Sequence, residues 1–475
     1  MEIDEFRRHG HELIEWMADY LAQIERHPVR SQVRPGEVDA QLPPAPPERG
    51  EPFAELMADF ERIVMPGITH WQHPGFLAYF PANSSPPSVL AEMLTATLAA
   101  QCMLWQTSPA ATELETRVLD WLRQMIGLPE GFAGVIQDTA SAATLCAILV
   151  ARERATGGRA NEDGLAACPP LAVYASEEAH SSVVKAVKIA GLGAGALRAI
   201  ETDHRLALRP AGLGRAIARD RAAGRVPAAV LASLGTTGAG AIDPLRAIGE
   251  ICREEGVYLH VDAAWAGSAL LLPEQGAMIE GIEHAQSFVF NPHKWLLTNF
   301  DCSAHFVREP EELIRALSVL PAYLRSRETG AVIDYRDWGV PLGRRFRALK
   351  LWFVLRSYGV EGLRAMLRDH IAWTAELAEA IRAEPDFELT SGPSLALLSF
   401  RYKPAGLDDE AALDALNERL LNRVNDAGRI YLTQNRLRGR YVIRIAIGQR
   451  TTTRAHVMGA WDLIRELARN LPRSR

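Results

Sequence analysis

The chain has 475 residues, 48% hydrophobic and 23% charged, with a net charge of -6. That is ordinary globular composition, long enough for more than one structural unit. Acids and bases are interspersed, so nucleic acid is set aside as a partner, and no apolar run reaches the length of a membrane span.

The start, MEIDEFRRHG, is acidic and amphipathic and lacks the layout of a secretory signal. Cys102, Cys146, Cys168, Cys252 and Cys302 are scattered and form no C-x-x-C pair. Neither a disulfide framework nor a zinc site is expected, and a reducing cytoplasm fits.

Along the chain, Ile3, Phe6, Leu13, Ile14, Met17, Leu21 and Ile24 make one apolar helical stripe over residues 2–26. Pro28, Pro35, Pro43, Pro44, Pro46, Pro47 and Pro52 then exclude helix interior and central strand. The expectation is an extended connector bearing a helical arm that docks on a second subunit.

From about 130 to 305 the pattern alternates. AGVIQ (133–137), LAVYAS (171–176), AAVLASLGTT (228–237), VYLHVDAAW (257–265) and SFVF (287–290) read as strands, with helices between them. An open, mostly parallel sheet covered on both faces follows. From about 375 onward, LALLSFRYK, RIYLTQ and YVIRIAI read as strands interleaved with helices at 408–426 and 454–469, a smaller α+β unit. The expected division is an arm with its connector (1–85), a large α/β domain (86–374) and a small α+β domain (375–475).

Open α/β sheets bind ligands beyond the carboxyl ends of their strands. Those ends carry Asp138-Thr139-Ala140-Ser141 at a helix start, then His180, Thr236, Asp262 with Ala264, and finally Asn291, His293 and Lys294. A helix start with small and hydroxyl residues favours phosphate; a plain N-cap at Ser141 is the simpler alternative. Asp262 pairs with a cation or merely caps a turn. Lys294 sits among Phe288, Phe290, Trp295 and Leu296, as a reactive amine or as a surface lysine with its stem on Trp295.

Phosphate cup, carboxylate and amine together point to one cofactor, pyridoxal phosphate. A lysine condenses with its aldehyde, an acid keeps its ring nitrogen protonated, and a flat group such as His180 covers its face. Rival motifs are weaker. GLGAG (191–195) follows a helix and precedes a strand-like run, the reverse of a dinucleotide loop, and reads as a helix C-cap turn. The pair His70 and His73 in HWQH has no carboxylate or third histidine beside it, so structural or substrate packing is expected and no metal site.

At this point the residues resemble a family, the group II pyridoxal-phosphate decarboxylases that act on aromatic L-amino acids. HWQHPGFLAYFPANSS, SPAATELETRVLDWL, AHSSVVKA, HVDAAWAGSA, FNPHKWLLTNFDCSA and DYRDWGVPLGRRFRALKLWFVLR are similar to its signatures and in its order. The resemblance implies the aspartate-aminotransferase-like fold (fold type I) and a homodimer with active sites at the subunit interface.

It also implies roles. Lys294 carries the cofactor, Asp262 pairs with its ring nitrogen beside Ala264, and His180 stacks on its face. Thr139, Ala140, Ser141, Asn291 and His293 surround the phosphate, with Thr236 near the ring. Tyr323 matches a loop tyrosine that returns a proton to the substrate carbon after carbon dioxide leaves. Trp71, Tyr79, Phe80 and Pro81 match the substrate pocket, and Gln101 and Met103 match residues lent to it by the other subunit.

The expected activity is decarboxylation of phenylalanine, tyrosine, tryptophan or 3,4-dihydroxyphenylalanine to the amine. The alternatives are an oxygen-using aldehyde synthase, a decarboxylase of a non-aromatic amino acid, another pyridoxal enzyme such as an aminotransferase, and a non-catalytic binding protein on this fold. Aldehyde synthases tend to replace the loop tyrosine or the stacked histidine; Tyr323 and His180 are both present. Asp138 and Ala142 depart from the glycine and glutamate frequent in relatives. Gln101 and Met103 depart from the more apolar or aromatic residues of animal relatives and reshape the side-chain end of the pocket.

Overall fold

The computed structural model describes residues 1–319 and 330–471. The chain divides into two compact units. The smaller comprises Met1–Pro81, Trp373–Thr390 and Leu398–Arg475, and the larger Ala82–Ala372 and Ser391–Leu397.

The larger unit is built on seven strands: β1 (Ala133–Gln137), β2 (Leu171–Ser176), β3 (Leu197–Ile200), β4 (Val226–Ser233), β5 (Tyr258–Asp262), β6 (Ser287–Phe290) and β7 (Ser303–Val307). Their order is β1-β7-β6-β5-β4-β2-β3. Pairing is parallel from β6 through to β3, and β7 runs antiparallel to both β1 and β6. The sheet is therefore mostly parallel, as the alternating pattern implies. Its strands are apolar on both faces because helices cover both. The helix Ala140–Thr156 shows why: Ala143, Cys146, Ala147, Val150 and Ala151 are all buried. Small side chains let it lie close to the strands, and it carries almost no polar stripe.

In the smaller unit, the helix Ile3–Ala22 has acids in its first turn and no buried residue. Four further strands, β8 (Phe387–Ser394), β9 (Leu397–Tyr402), β10 (Thr433–Leu437) and β11 (Arg440–Ala446), form a second sheet in the order β10-β11-β9-β8, of which Ser391–Leu397 is grouped with the larger unit. The helices Glu410–Asp426 and Arg454–Arg469 accompany it. RIYLTQ starts later than its pattern indicates. Strand pairing begins at Thr433, while Tyr431 makes an isolated parallel bridge to Phe76.

Beneath the large sheet lies a polar chain. The Ser287 hydroxyl sits 2.8 Å from His260 Nδ1 and 2.8 Å from His305 Nε2. The remaining ring nitrogens, His260 Nε2 and His305 Nδ1, have no partner among the described residues. Burial pushes both imidazoles down to about 3, and His370 to about 4. These rings stay neutral in the fold, while an unfolded histidine takes a proton near 6.5. Below that pH the unfolded chain binds more protons, so stability falls as pH falls. Each histidine contributes about 1.4 kcal/mol per pH unit, and three contribute roughly 4 kcal/mol per unit. The melting temperature will drop steeply between pH 7 and pH 5, and His305→Leu will flatten that slope. An unchanged melting temperature across this range would exclude neutral buried rings.

Candidate active site

Five strand ends of the larger unit, those of β1, β2, β4, β5 and β6, bring the expected cofactor residues to one edge. Parallel pairing sets Ser233 of β4 opposite Asp262 of β5, and Asp262 opposite Val289 of β6. The turn that holds Thr236 is tied to the same place, because Leu234 N–H donates to the Asp262 carbonyl at 2.8 Å. Gly235 in that turn has φ +84°, and a Cβ there would lie 2.6 Å from Ala266 Cβ, so only glycine fits. Thr236 is buried, and its hydroxyl accepts Ala241 N–H at 3.0 Å.

Asp262 performs the simple structural role first. Its Oδ1 caps Ala264 N–H at 3.0 Å. Its other oxygen takes no hydrogen bond from any described residue. Asn291 N–H reaches back to the Ala264 carbonyl at 2.9 Å, locking the ends of β5 and β6 together. Asn291 Oδ1 accepts Ser303 Oγ–H at 2.7 Å, so the amide nitrogen is its remaining polar end.

Lys294 lies in the single helical turn Pro292–Trp295 that follows β6. Its N–H donates to the Asn291 carbonyl at 2.9 Å, and its carbonyl accepts Asn83 Nδ2–H at 2.6 Å. Trp295 anchors the turn from below. It stacks on Trp265 at 5.0 Å and donates through Nε1 to His370 Nδ1 at 2.9 Å. Next to it, Gly267 packs so tightly on β6 that a Cβ would come within 2.3 Å of Phe290 Cβ. His293 Nδ1 accepts Cys302 N–H at 2.9 Å, so its proton sits on Nε2. Burial, with Lys294 adding to it, pushes this imidazole down to about 3.

His180 follows β2. Its Nδ1 accepts Ser182 N–H at 3.1 Å and lies 2.8 Å from the Ser182 hydroxyl. A backbone N–H can only donate, so the neutral ring carries its proton on Nε2. The side chain still meets solvent, yet the protein around it lowers its pKa by desolvation. The Asp262 carboxylate opposes that shift and the Lys294 amine reinforces it. One imidazole thus feels both charged groups.

The helix Ala140–Thr156 begins at Thr139, which is the N-cap in place of Ser141. Thr139 Oγ1 accepts Ala142 N–H at 3.3 Å. Asp138 folds back, its Oδ1 accepting Thr139 N–H at 2.6 Å. Two of the helix's leading donors are thereby used, and the N–H groups of Ala140 and Ser141 remain at its open end. Ala140, Ala143 and Val289 form one buried cluster with Ala264 against it, so this helix start adjoins the ends of β5 and β6.

Of the pocket residues, Gln101 and Met103 belong to the larger unit. Gln101 Oε1 accepts Arg344 N–H at 2.8 Å, and the Met103 carbonyl accepts Arg336 N–H at 3.0 Å. Trp71, Tyr79, Phe80 and Pro81 belong to the smaller unit. There Trp71 stacks on Phe76 at 4.4 Å and on Tyr79 at 5.7 Å. Tyr79 has φ +45° and is 48% exposed. The Arg444 guanidinium lies 4.4 Å over the Phe80 ring. Tyr323 lies outside the described residues. Among the described residues no group of histidine, cysteine and acids is arranged to hold a metal.

The donor set fits pyridoxal phosphate: open N–H groups at a helix start for a phosphate, a carboxylate with one oxygen unbonded among the described residues for a protonated ring nitrogen, and an imidazole that feels both carboxylate and amine. Sequence reasoning missed Asn83 and Ser182, which hold the Lys294 turn and the His180 tautomer. Their only local signal is a polar residue in a buried place.

Comparison with known proteins agrees. The model of the pyridoxal-dependent decarboxylase conserved domain matches residues 35–403. The chain is 44% identical to an aromatic-L-amino-acid decarboxylase of Rattus norvegicus, covering 100% of this chain and 99% of that protein. It is 42% identical to a phenylacetaldehyde synthase of Arabidopsis thaliana, covering 98% and 96%. It superimposes with a TM-score of 0.93 on a Catharanthus roseus tryptophan decarboxylase solved in complex with L-tryptophan, at 38% identity over 99% of each chain. With a family match over most of its length and relatives of this identity from end to end, the chain belongs to the pyridoxal-dependent decarboxylases.

Proposed function

We propose that this chain is a carboxy-lyase that converts an aromatic L-amino acid to its amine and carbon dioxide. The observation that carries the reading is the convergence of the strand ends: Asp262 lies in register with Ser233 and Val289, and the Ala264 carbonyl holds Asn291 N–H, three residues before Lys294. The full-length likeness to aromatic-L-amino-acid decarboxylases supports the substrate class.

Pyridoxal phosphate, when bound, supplies an electron sink for the pair left behind by departing carbon dioxide. The chain's own residues do the rest. Ala140 and Ser141 N–H groups, with Thr139, Asn291 and His293, hold the phosphate. The free oxygen of Asp262 keeps a proton on the ring nitrogen. His180, with its proton fixed on Nε2, would cover the ring face, and Lys294 would supply the amine that anchors the cofactor. Tyr323 returns the proton to the substrate carbon. Trp71, Tyr79, Phe80 and Pro81, with Gln101 and Met103 of the other subunit, receive the aromatic side chain.

We place the enzyme in the cytoplasm as a homodimer. Five unpaired cysteines suit a reducing compartment. Leu90, Met93, Leu94 and Leu98 form an exposed apolar row on the helix Pro86–Leu98, directly before Gln101 and Met103. Such a row calls for a covering surface.

A product assay tests the reading. The holoenzyme is given phenylalanine, tyrosine, tryptophan and 3,4-dihydroxyphenylalanine in air, with mass-spectrometric detection. Amines are expected. Aldehyde with ammonia and hydrogen peroxide would favour the synthase reading, which the Arabidopsis relative keeps in play, and would mean that Tyr323 does not outcompete oxygen for the carbanion. No turnover of any of the four would remove the aromatic class.

A further inference from the structure

The histidine pair of HWQH resolves into two different residues, both in the smaller unit. His70 has a partner: the Tyr20 hydroxyl lies 2.8 Å from its Nδ1. His73 does not. It is 7% exposed, and its Nδ1 accepts Gly75 N–H at 2.9 Å, which puts its proton on Nε2. That Nε2–H bonds to no described residue.

His73 lines a cavity of about 410 Å³, the size of a small-ligand site. Arg429 lines it too. Its side chain is exposed and makes no hydrogen bond or ion pair with any described residue. Arg26 lies on the same wall. The one carboxylate there, Glu25, has a largely exposed side chain 3.5 Å from His456 Nε2, and the guanidinium groups of Arg26 and Arg429 outnumber it.

The floor is bare because it is made of glycine and alanine. A Cβ on Gly75 would lie 2.6 Å from the Arg429 carbonyl, whereas one on Gly459 would meet nothing within 4 Å and would project into open space. Two unused donors and a second guanidinium thus surround a hollow that no described residue fills.

A metal does not suit this place. Among the described residues no group of histidine, cysteine and acids is arranged to hold one, and guanidinium groups repel cations. We propose that the cavity binds a small anion, a phosphate or carboxylate group on a small molecule, through the Nε2–H of His73 and the guanidinium of Arg429. Burial pushes His73 down to about 4, so at neutral pH it acts as a neutral donor, and the guanidinium groups supply the charge. The site does not involve the residues assigned to decarboxylation. It pins the segment that carries Trp71 and Tyr79, because His73 lies between them in sequence.

Calorimetric titration of the holoenzyme tests this, since the cofactor then occupies the phosphate cradle at Ala140 and Ser141. Inorganic phosphate and succinate are titrated separately. At least one will bind saturably at one site per chain, and the tighter of the two identifies a phosphate or a carboxylate ligand. Arg429→Gln and Gly459→Leu will each weaken that binding at least tenfold. Both keep the fold, because Arg429 is exposed and Gly459 faces open space, and both leave the decarboxylation rate unchanged. Absence of saturable binding by either probe, or binding that survives both substitutions, would overturn the proposal.

Discussion

Replacing Lys294 with alanine will eliminate amine formation and leave the fold in place. The backbone bonds that fix this position, from Lys294 N–H to the Asn291 carbonyl and from Asn83 to the Lys294 carbonyl, survive the change. So does the stacking of Trp295 on Trp265 below it. The melting temperature should move little. Activity will fall by more than the 10²–10⁴-fold, in order of magnitude, that loss of a proton-transferring group costs, because the covalent anchor is lost as well.

Lys350 is the natural competitor for this role, since burial pushes it down to about 8, a range that suits a nucleophilic amine. It is 1% exposed, however, and its Nζ is bound to Glu92 at 3.0 Å, so its amine is already engaged. Borohydride reduction of the wild-type holoenzyme, followed by peptide mass spectrometry, should place the pyridoxyl adduct on Lys294 alone. An adduct on Lys350, or an alanine variant that keeps both colour and turnover, would sink the assignment.

Much of this molecule was legible before its structure. Strands β1, β2 and β6 read directly because apolar runs bounded by polar residues and helices leave few alternatives. Their order along the chain placed Asp262, His180 and Lys294 at strand ends facing one edge. Strand direction was less legible. CSAHFV, which contains β7, was not read as a strand, and an apolar run looks the same whichever way it points, so its reversal relative to β6 is invisible in the pattern as well. The start of β10 was misplaced for a related reason: Tyr431 pairs with Phe76, far away in sequence, and local alternation carries no record of that partner. The supports of the site were missed altogether. Asn83 contacts a turn over two hundred residues later, and Ser182 fixes a tautomer through its backbone N–H, which every residue but proline possesses.

The largest effect on stability will come from breaking the ion pair of Arg344 and Glu115. Their side chains are 6% and 3% exposed, and Arg344 Nη2 donates to Glu115 Oε1 at 2.6 Å. The same Nη2 donates to the Ile136 carbonyl at 2.9 Å, and Glu115 Oε1 accepts Ile136 N–H at 2.9 Å, so the pair is stitched to β1. Arg344→Ala leaves a buried carboxylate without its cation, and Glu115→Ala leaves a buried guanidinium. Each should cost about 3–5 kcal/mol, because an uncompensated buried charge outweighs the attraction it replaces. The double change Arg344→Met with Glu115→Leu should be less damaging than either single change, since no charge is then stranded. Chemical unfolding of the three variants completes the cycle. Single changes costing under about 1 kcal/mol, the range of exposed pairs, would show that the pair is not buried in solution. The backbone of Arg344 also exchanges hydrogen bonds with residues 101 and 102: its N–H donates to Gln101 Oε1, and its carbonyl accepts Cys102 N–H at 3.0 Å. Loss of the guanidinium will therefore loosen the segment that presents Gln101 and Met103. Below its unfolding temperature the alanine variant should show a raised KM for aromatic substrates with kcat less affected, which a purely global destabilisation would not produce.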